Sequence, residues 1–149
     1  MKTYFLWRIF MKTLRSIFLV SCLCLGVVTA SQAADLTVTV TGASHQKGQI
    51  AVALFNASAT FPGEPTVGQR VPAGAQVELV FKNLVPGRYA LSAYHDENDN
   101  QKLDRGLFGI PKERYGFSRD ARGMAGPPEF RDAAFEVKEG DNRVQLQIR

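Results

Sequence analysis

The sequence predicts an all-β fold: an antiparallel two-layer β-sandwich of immunoglobulin or prealbumin type, with about seven strands and one long ordered loop. Three observations carry this. From residue 34 onward apolar residues recur with a period of two, and no segment shows a sustained stripe at 3.6. Turn-forming clusters such as Val85-Pro86-Gly87 and Glu139-Gly140-Asp141-Asn142 cut the chain into short segments. Residues 34–149 are enough for one domain that buries roughly two-thirds of its surface unaided.

The first 33 residues read as an export signal. Lys12 and Arg15 form a basic region, Ile17 to Val28 is apolar, and Ser31-Gln32-Ala33 offers the small residues that a signal peptidase reads, so cleavage is expected after Ala33. The apolar run falls short of the ~18 residues a spanning helix needs. Met11-Lys12-Thr13 is a better start for such a signal than Met1. Ser21-Cys22 matches a lipidation site, but acylation there would leave Leu23 to Val28 as an apolar tail, so the soluble form is preferred. The segment holds Lys2, Arg8, Lys12 and Arg15, four of the 18 basic residues, and no acid. The remaining 14 basic residues balance 14 acidic ones, which removes the support for a nucleic-acid partner. Both cysteines, Cys22 and Cys24, leave with the signal, so the exported domain has no disulfide. A periplasmic or secreted location follows as an expectation.

The strands follow in order. Leu36, Val38 and Val40 alternate with threonines. Gly48 to Asn56 is apolar on both faces, as a central strand is, with Ile50, Val52 and Leu54 opposite Ala51, Ala53 and Phe55. Val77, Leu79 and Phe81 form a third alternation, and Pro86-Gly87 fits a type II turn into a strand over Tyr89 to Tyr94. Phe135 and Val137, a Lys138–Asn142 turn, and Val144, Leu146 and Ile148 predict a C-terminal hairpin. Strands this short, and too few turns for eight strands, argue against an outer-membrane barrel, whose strands need ~9–11 residues. Residues 96–130 show neither strand nor helix, yet Leu103, Leu107, Phe108, Ile110, Tyr115 and Phe117 are apolar anchors that a solvated linker lacks. The long loop is therefore expected to be ordered. A smaller excursion runs from Ala57 to Arg70.

The chemistry concentrates at the start of that loop. Asp96, Asn98 and Asn100 occupy alternate positions, Lys102 would offer its carbonyl, and Asp104 follows, which is the spacing of a calcium loop. Gln101 replaces the usual glycine and Leu107 the closing glutamate. The same residues equally suit a turn in which Asp and Asn bond their own backbone. His95 stands beside it, either bonded to a backbone carbonyl or acting as a base oriented by Asp96 or Glu113. Charge is segregated: residues 96–104 are acidic and 105–122 basic, which suits self-pairing or an anion site. Tyr115, Phe117, Phe108 and Phe130 suit a satellite core beneath the loop.

Asn83-Leu84-Val85-Pro86-Gly87-Arg88-Tyr89-Ala90, His95-Asp96-Glu97-Asn98-Asp99-Asn100, Lys102-Leu103-Asp104, Gly109-Ile110-Pro111-Lys112-Glu113, Tyr115-Gly116-Phe117-Ser118 and the segment 128–135 resemble a bacterial exported family designated domain of unknown function 2141. The resemblance implies an exported β-sandwich and points to no activity. The Pro86-Gly87-Arg88-Tyr89 turn is more loosely similar to prealbumin-like and carboxypeptidase-regulatory modules. The prealbumin-related hydrolases end in Tyr-Arg-Gly-Ser, whereas this chain ends in Gln147-Ile148-Arg149. The expected function is a non-catalytic binding or accessory module whose long loop meets a small-molecule or protein ligand through His95, Lys112, Glu113, Arg114, Tyr115, Phe117 and Ser118. The alternative is a cation-assisted hydrolase using His95 and Glu113. A third reading is a structural subunit that pairs an edge strand with a partner.

Overall fold

A computed structural model of the chain describes residues 33–149; the expected export signal, apart from Ala33, lies outside the described residues. Eight strands form two sheets packed as a β-sandwich. The first sheet has the order β4–β1–β8, with β1 at Ala34–Thr41, β4 at Gln76–Leu84 and β8 at Gly140–Gln147. The second has the order β3–β2–β5–β6, with β2 at Gln49–Phe55, β3 at Val67–Pro72, β5 at Gly87–Asp96 and β6 at Tyr115–Phe117. The short β7, Phe135–Val137, also pairs with β5. Among the described residues the one α-helix, α1, is a single turn at Phe130–Ala133, and Leu107–Gly109 and Ser118–Asp120 are short 3-10 turns. Among the described residues no helix is long and apolar enough to cross a membrane.

The core lies where the alternation put it. Leu36, Val38 and Val40 of β1, Ile50, Val52 and Leu54 of β2, Leu79 and Phe81 of β4, and Leu91 of β5 are all buried between the sheets. Full burial of a side chain of this size contributes about 1.5–3 kcal/mol. The threonines of β1 sit on the opposite face and remain partly solvated. The strands of the second sheet pair antiparallel, whereas β8 runs parallel to β1 over the whole of its length, from Ala34 beside Gly140 to Thr41 beside Gln147.

That parallel pairing corrects the expected C-terminal hairpin. β7 takes the edge of β5 over Gly87–Tyr89, while β8 crosses to the other layer, where its apolar residues complete the face of the first sheet. The Pro86-Gly87 corner is likewise a crossing between sheets. Gly87 has φ 157°, not the ~+80° of a type II turn. Two strands were not anticipated. β3 falls partly inside the expected Ala57–Arg70 excursion, because Val-Gly-Gln-Arg-Val-Pro carries too few apolar residues to alternate visibly. β6 falls inside the expected 96–130 loop, since three residues are too few to show a period. Beyond β6 the ends of the two layers are joined: Tyr115 N–H donates to the Arg149 carbonyl at 3.2 Å, and Arg149 N–H to the Tyr115 carbonyl at 3.0 Å. Gly116 makes this approach feasible, for a Cβ there would lie 2.3 Å from the Gln147 carbonyl oxygen.

The corner at the head of β5 is locked by one side chain. The Tyr89 hydroxyl donates to the Val85 carbonyl at 2.8 Å, four residues upstream, as in the tyrosine corner of other β-sandwiches. Burial raises the pKa of its phenol, partly offset by that bond. Tyr89→Phe is expected to cost about 1 kcal/mol, lowering Tm by roughly 3–6 °C for a domain of this length. An unchanged thermal melt would show that the corner bond contributes nothing.

Candidate functional site

Every second residue of the second sheet points away from the core, and this outer face is not the polar surface that position usually carries. Across the sheet, one row reads Arg70, Ala51, Tyr94, Tyr115, and the next Gly68, Ala53, Ser92, Phe117. Ala51 and Ala53 of β2, with Gly68 and Ser92 on either side of Ala53, are small, whereas Arg70, Tyr94, Tyr115 and Phe117 around them are long, so the face forms a trough whose depth is the difference in side-chain length. Loops from three places raise its walls: Pro62, Gly63 and Pro65 on one side, Leu103 to Pro111 on another, and Gly123 to Pro127 on a third. The resulting cleft encloses about 980 Å³, at the upper end of the ~300–1,000 Å³ of small-molecule sites.

Each end of the trough is built differently. At one end Phe61 sits among Phe55, Phe117 and Phe130, with ring centroids 5.1, 5.7 and 5.9 Å away and the rings edge to face. At the other end the Arg70 guanidinium donates to the Tyr94 hydroxyl at 3.0 Å, to the Gln101 carbonyl at 3.1 Å and to the buried Asp96 carboxylate at 3.1 Å. The same guanidinium lies 5.8 Å from the centroid of the Tyr94 ring.

The loop after β5 owes its shape to two carboxylates. Asp96 accepts the N–H of Asn100 at 3.0 Å and of Gln101 at 2.8 Å, besides the Arg70 bond. Asn98 and Asn100 turn their carboxamide oxygens to the N–H groups of Asn100 and Lys102, at 3.1 and 2.8 Å, and donate through Nδ2 to Asp104 at 2.8 and 2.9 Å. The alternating oxygens therefore form a self-bonded Asx turn, with positive φ at Asp99 (58°) and Gln101 (65°). Glu113 clasps the loop from outside: one carboxylate oxygen accepts Glu97 N–H at 2.9 Å and the other Asp104 N–H at 2.8 Å. Among the described residues no group of three or more His, Cys, Asp or Glu is placed to hold a metal ion.

His95 lies on the core side of β5, fully buried, and away from the cleft. Its Nε2 is 2.7 Å from the Lys47 carbonyl and its Nδ1 accepts Ser44 N–H at 3.3 Å. Nδ1 is also 2.9 Å from Ser44 Oγ, whose hydroxyl donates to Glu97. The Ser44 hydrogen bond, with His45 and His95 nearby, holds the Glu97 carboxyl below the usual carboxylate range. This cluster ties the β1–β2 connection to the end of β5.

Of the residues singled out in the sequence, Tyr115 and Phe117 line the cleft. His95 and Glu113 are not brought together, since each is bound to groups of its own. Ser118 is buried, accepting Leu91 N–H at 2.9 Å and donating to the Ala133 carbonyl at 2.6 Å. Arg114 donates to the Gly42 carbonyl at 2.8 Å, and Lys112 stands exposed. The expected satellite core is only half formed. Phe117 and Phe130 join it through Phe61 and Tyr115 packs edge to face on Phe117, whereas Phe108 is exposed, as are Leu107 and Ile110 of the expected loop anchors. No ion pair joins the acidic residues 96–104 to the basic residues 105–122: Asp96 pairs with Arg70, outside the loop, whereas Asp120 pairs with Arg122, two residues on, and with Arg149. The floor of the cleft went unrecognised. Ala51 and Ala53 were visible as an apolar second face of β2, but an apolar face alone does not say that it lines a cleft.

If Glu113 is what closes the loop, Glu113→Gln leaves a single acceptor for two N–H groups. Amide exchange at Glu97 or Asp104 is expected to quicken by about tenfold or more, from the ~1–3 kcal/mol cost of an unmet donor. Exchange in β2 should be unchanged. Equal protection in the variant would remove Glu113 from this role.

No curated protein and no solved structure matches the chain. A family model described as an uncharacterised protein conserved in bacteria matches residues 38–145, from the middle of β1 to near the end of β8. That span takes in both sheets, the Asx loop, the Glu113 clasp and the entire cleft, and the chain belongs to this family, domain of unknown function 2141.

Proposed function

We propose that this chain is an exported, non-catalytic binding module whose outer-sheet cleft takes a small, predominantly apolar ligand. One observation carries the reading: a sheet face that would normally be polar is floored by Ala51, Ala53 and Gly68 and walled by Tyr94, Tyr115 and Phe117. Ser92 and Arg70 supply the few polar groups that such sites use to orient a ligand. Export is supported by the basic Lys12 and Arg15, the apolar run and Ser31-Gln32-Ala33. The hydrolase reading has less support, because both Glu113 oxygens are engaged by backbone N–H groups and His95 lies buried behind the sheet.

The test uses N-phenyl-1-naphthylamine, a neutral apolar fluorophore, as the probe. Its emission should rise on adding the protein, and Ala53→Trp, which fills the trough from its solvent side, should weaken binding about tenfold, equivalent to ~1.4 kcal/mol. Equal binding by the variant would move the ligand site elsewhere, and no binding by the wild type would count against an apolar ligand.

Calcium at the 96–104 loop is a second reading. It is favoured by the meeting of Asp96, Asn98, Asn100 and Asp104 in one network, which the Lys102 N–H also joins. A cation would have to displace the amide donors now on those oxygens. With a weak Kd of ~10⁻⁴ M, about 1 mM calcium would add ~1.4 kcal/mol of stability and raise Tm by roughly 3–6 °C. Asp96→Asn should remove the shift. A melt indifferent to calcium leaves the Asx network as the whole account of the loop.

A further inference from the structure

The 105–112 segment, one wall of the cleft, is a finger with an unusual surface. It is closed at its base by the Arg105–Pro111 bridge, by Gly106 N–H on the Ile110 carbonyl at 2.7 Å and by Lys112 N–H on the Asp104 carbonyl at 2.8 Å. Its tip is Leu107-Phe108-Gly109-Ile110. These apolar side chains do not fold inward: Phe108 is 97 % exposed, Leu107 83 % and Ile110 64 %. Phe108 also has φ 63°, a left-handed conformation costly for a bulky residue, and the turn keeps it at the tip. Met124, on the neighbouring 123–127 wall, is fully exposed as well.

Within residues 105–112 the charges have one sign, Asp104 and Glu113 standing just outside the finger. Arg105 and Lys112 flank its base, and no acid lies between them. Among the described residues neither has a carboxylate within 4.0 Å, and Arg105 donates only a long 3.3 Å bond to the Gly109 carbonyl. We propose that this finger docks the module on an anionic lipid surface, with Leu107, Phe108 and Ile110 entering the acyl boundary and Arg105 and Lys112 meeting the headgroup phosphates.

The vertical order favours lipid over protein. Apolar side chains at the tip with cations one step behind them match the layering of a bilayer interface, where apolar burial and attraction to anionic headgroups add. Side chains exposed this fully protrude, so a protein partner would need a pocket for each, whereas lipid closes around any shape. The position has a consequence for the cleft: Phe108, Ile110 and Met124 also line it, so docking brings its mouth to the lipid. The docking itself does not depend on the cleft being loaded.

Vesicle flotation of the full chain tests this, comparing phosphatidylcholine vesicles with vesicles in which part is replaced by phosphatidylglycerol. All variants share the N-terminal segment, so differences between them report the finger alone. The wild type should float preferentially with the anionic vesicles. Leu107→Ser with Phe108→Ser should lower partitioning at least tenfold, given the apolar area withdrawn, and Arg105→Glu with Lys112→Glu should remove the anionic preference, about fivefold for each cation. Thermal melts should be unchanged, since all four side chains are exposed. Ala53→Trp should float like the wild type, which separates failure here from failure of the cleft. Variants that float as the wild type does, or a wild type that ignores anionic vesicles, would overturn the docking.

Discussion

Strand β5 is hydrogen-bonded along both edges, and most of the molecule is arranged by that fact. One edge meets β2 over seven residue pairs, from Gln49 beside Asp96 to Phe55 beside Ala90. The other is divided between β7 at its start and β6 further on. Over Ser92–Tyr94 the strand is paired on both edges, so its backbone polar groups are met within the sheet and its outer face need not be polar to satisfy them. Ser92 and Tyr94 can then serve as floor and wall of a cleft. Splitting one edge between two short strands also means that the chain must leave β5 at Asp96, return at Tyr115, and leave again before Phe135. Those two excursions supply two of the cleft walls, and the β2–β3 connection supplies the third.

Polar groups are spent on holding the excursions in place. Asp96, buried at the end of β5, gathers two loop N–H groups and Arg70, so one carboxylate joins β3, β5 and the Asx turn. Glu113 closes the loop from its far end. Because a buried acceptor is favourable only when paired, each of these bonds makes the others harder to break. The walls of the cleft are thereby set on a polar frame, while their apolar tips carry no structural load and are free to face outward.

The residues that alternate within one strand were readable from sequence. Leu36, Val38 and Val40, or Val144, Leu146 and Ile148, announce their core face because period two is a local property. Strand partners were not: nothing near Val144 indicates that it lies beside Val38, and the Lys138–Asn142 turn looks the same whether it closes a hairpin or crosses between layers. The three residues of β6 and the sparse β3 fell below the length at which a period shows. The site was partly readable. The Asp96–Asp104 spacing located the loop and the Asx alternative described its bonding, yet His95, Glu113 and Ser118 drew attention as polar residues while their bonds are to neighbouring backbone. Ala51 and Ala53 look like core, and Phe108 looks like an anchor, since composition records that a side chain is apolar but not which way it faces.

A ligand in the trough would lie against the outer face of β2 and β5. Methyl chemical shifts of the labelled protein, followed during titration with the apolar naphthylamine, test that placement most directly. Ala51 and Ala53 should shift together, with the core methyls of Val38 and Leu146 in the first sheet left unmoved. Shifts confined to the first sheet, or spread evenly over both, would contradict the account.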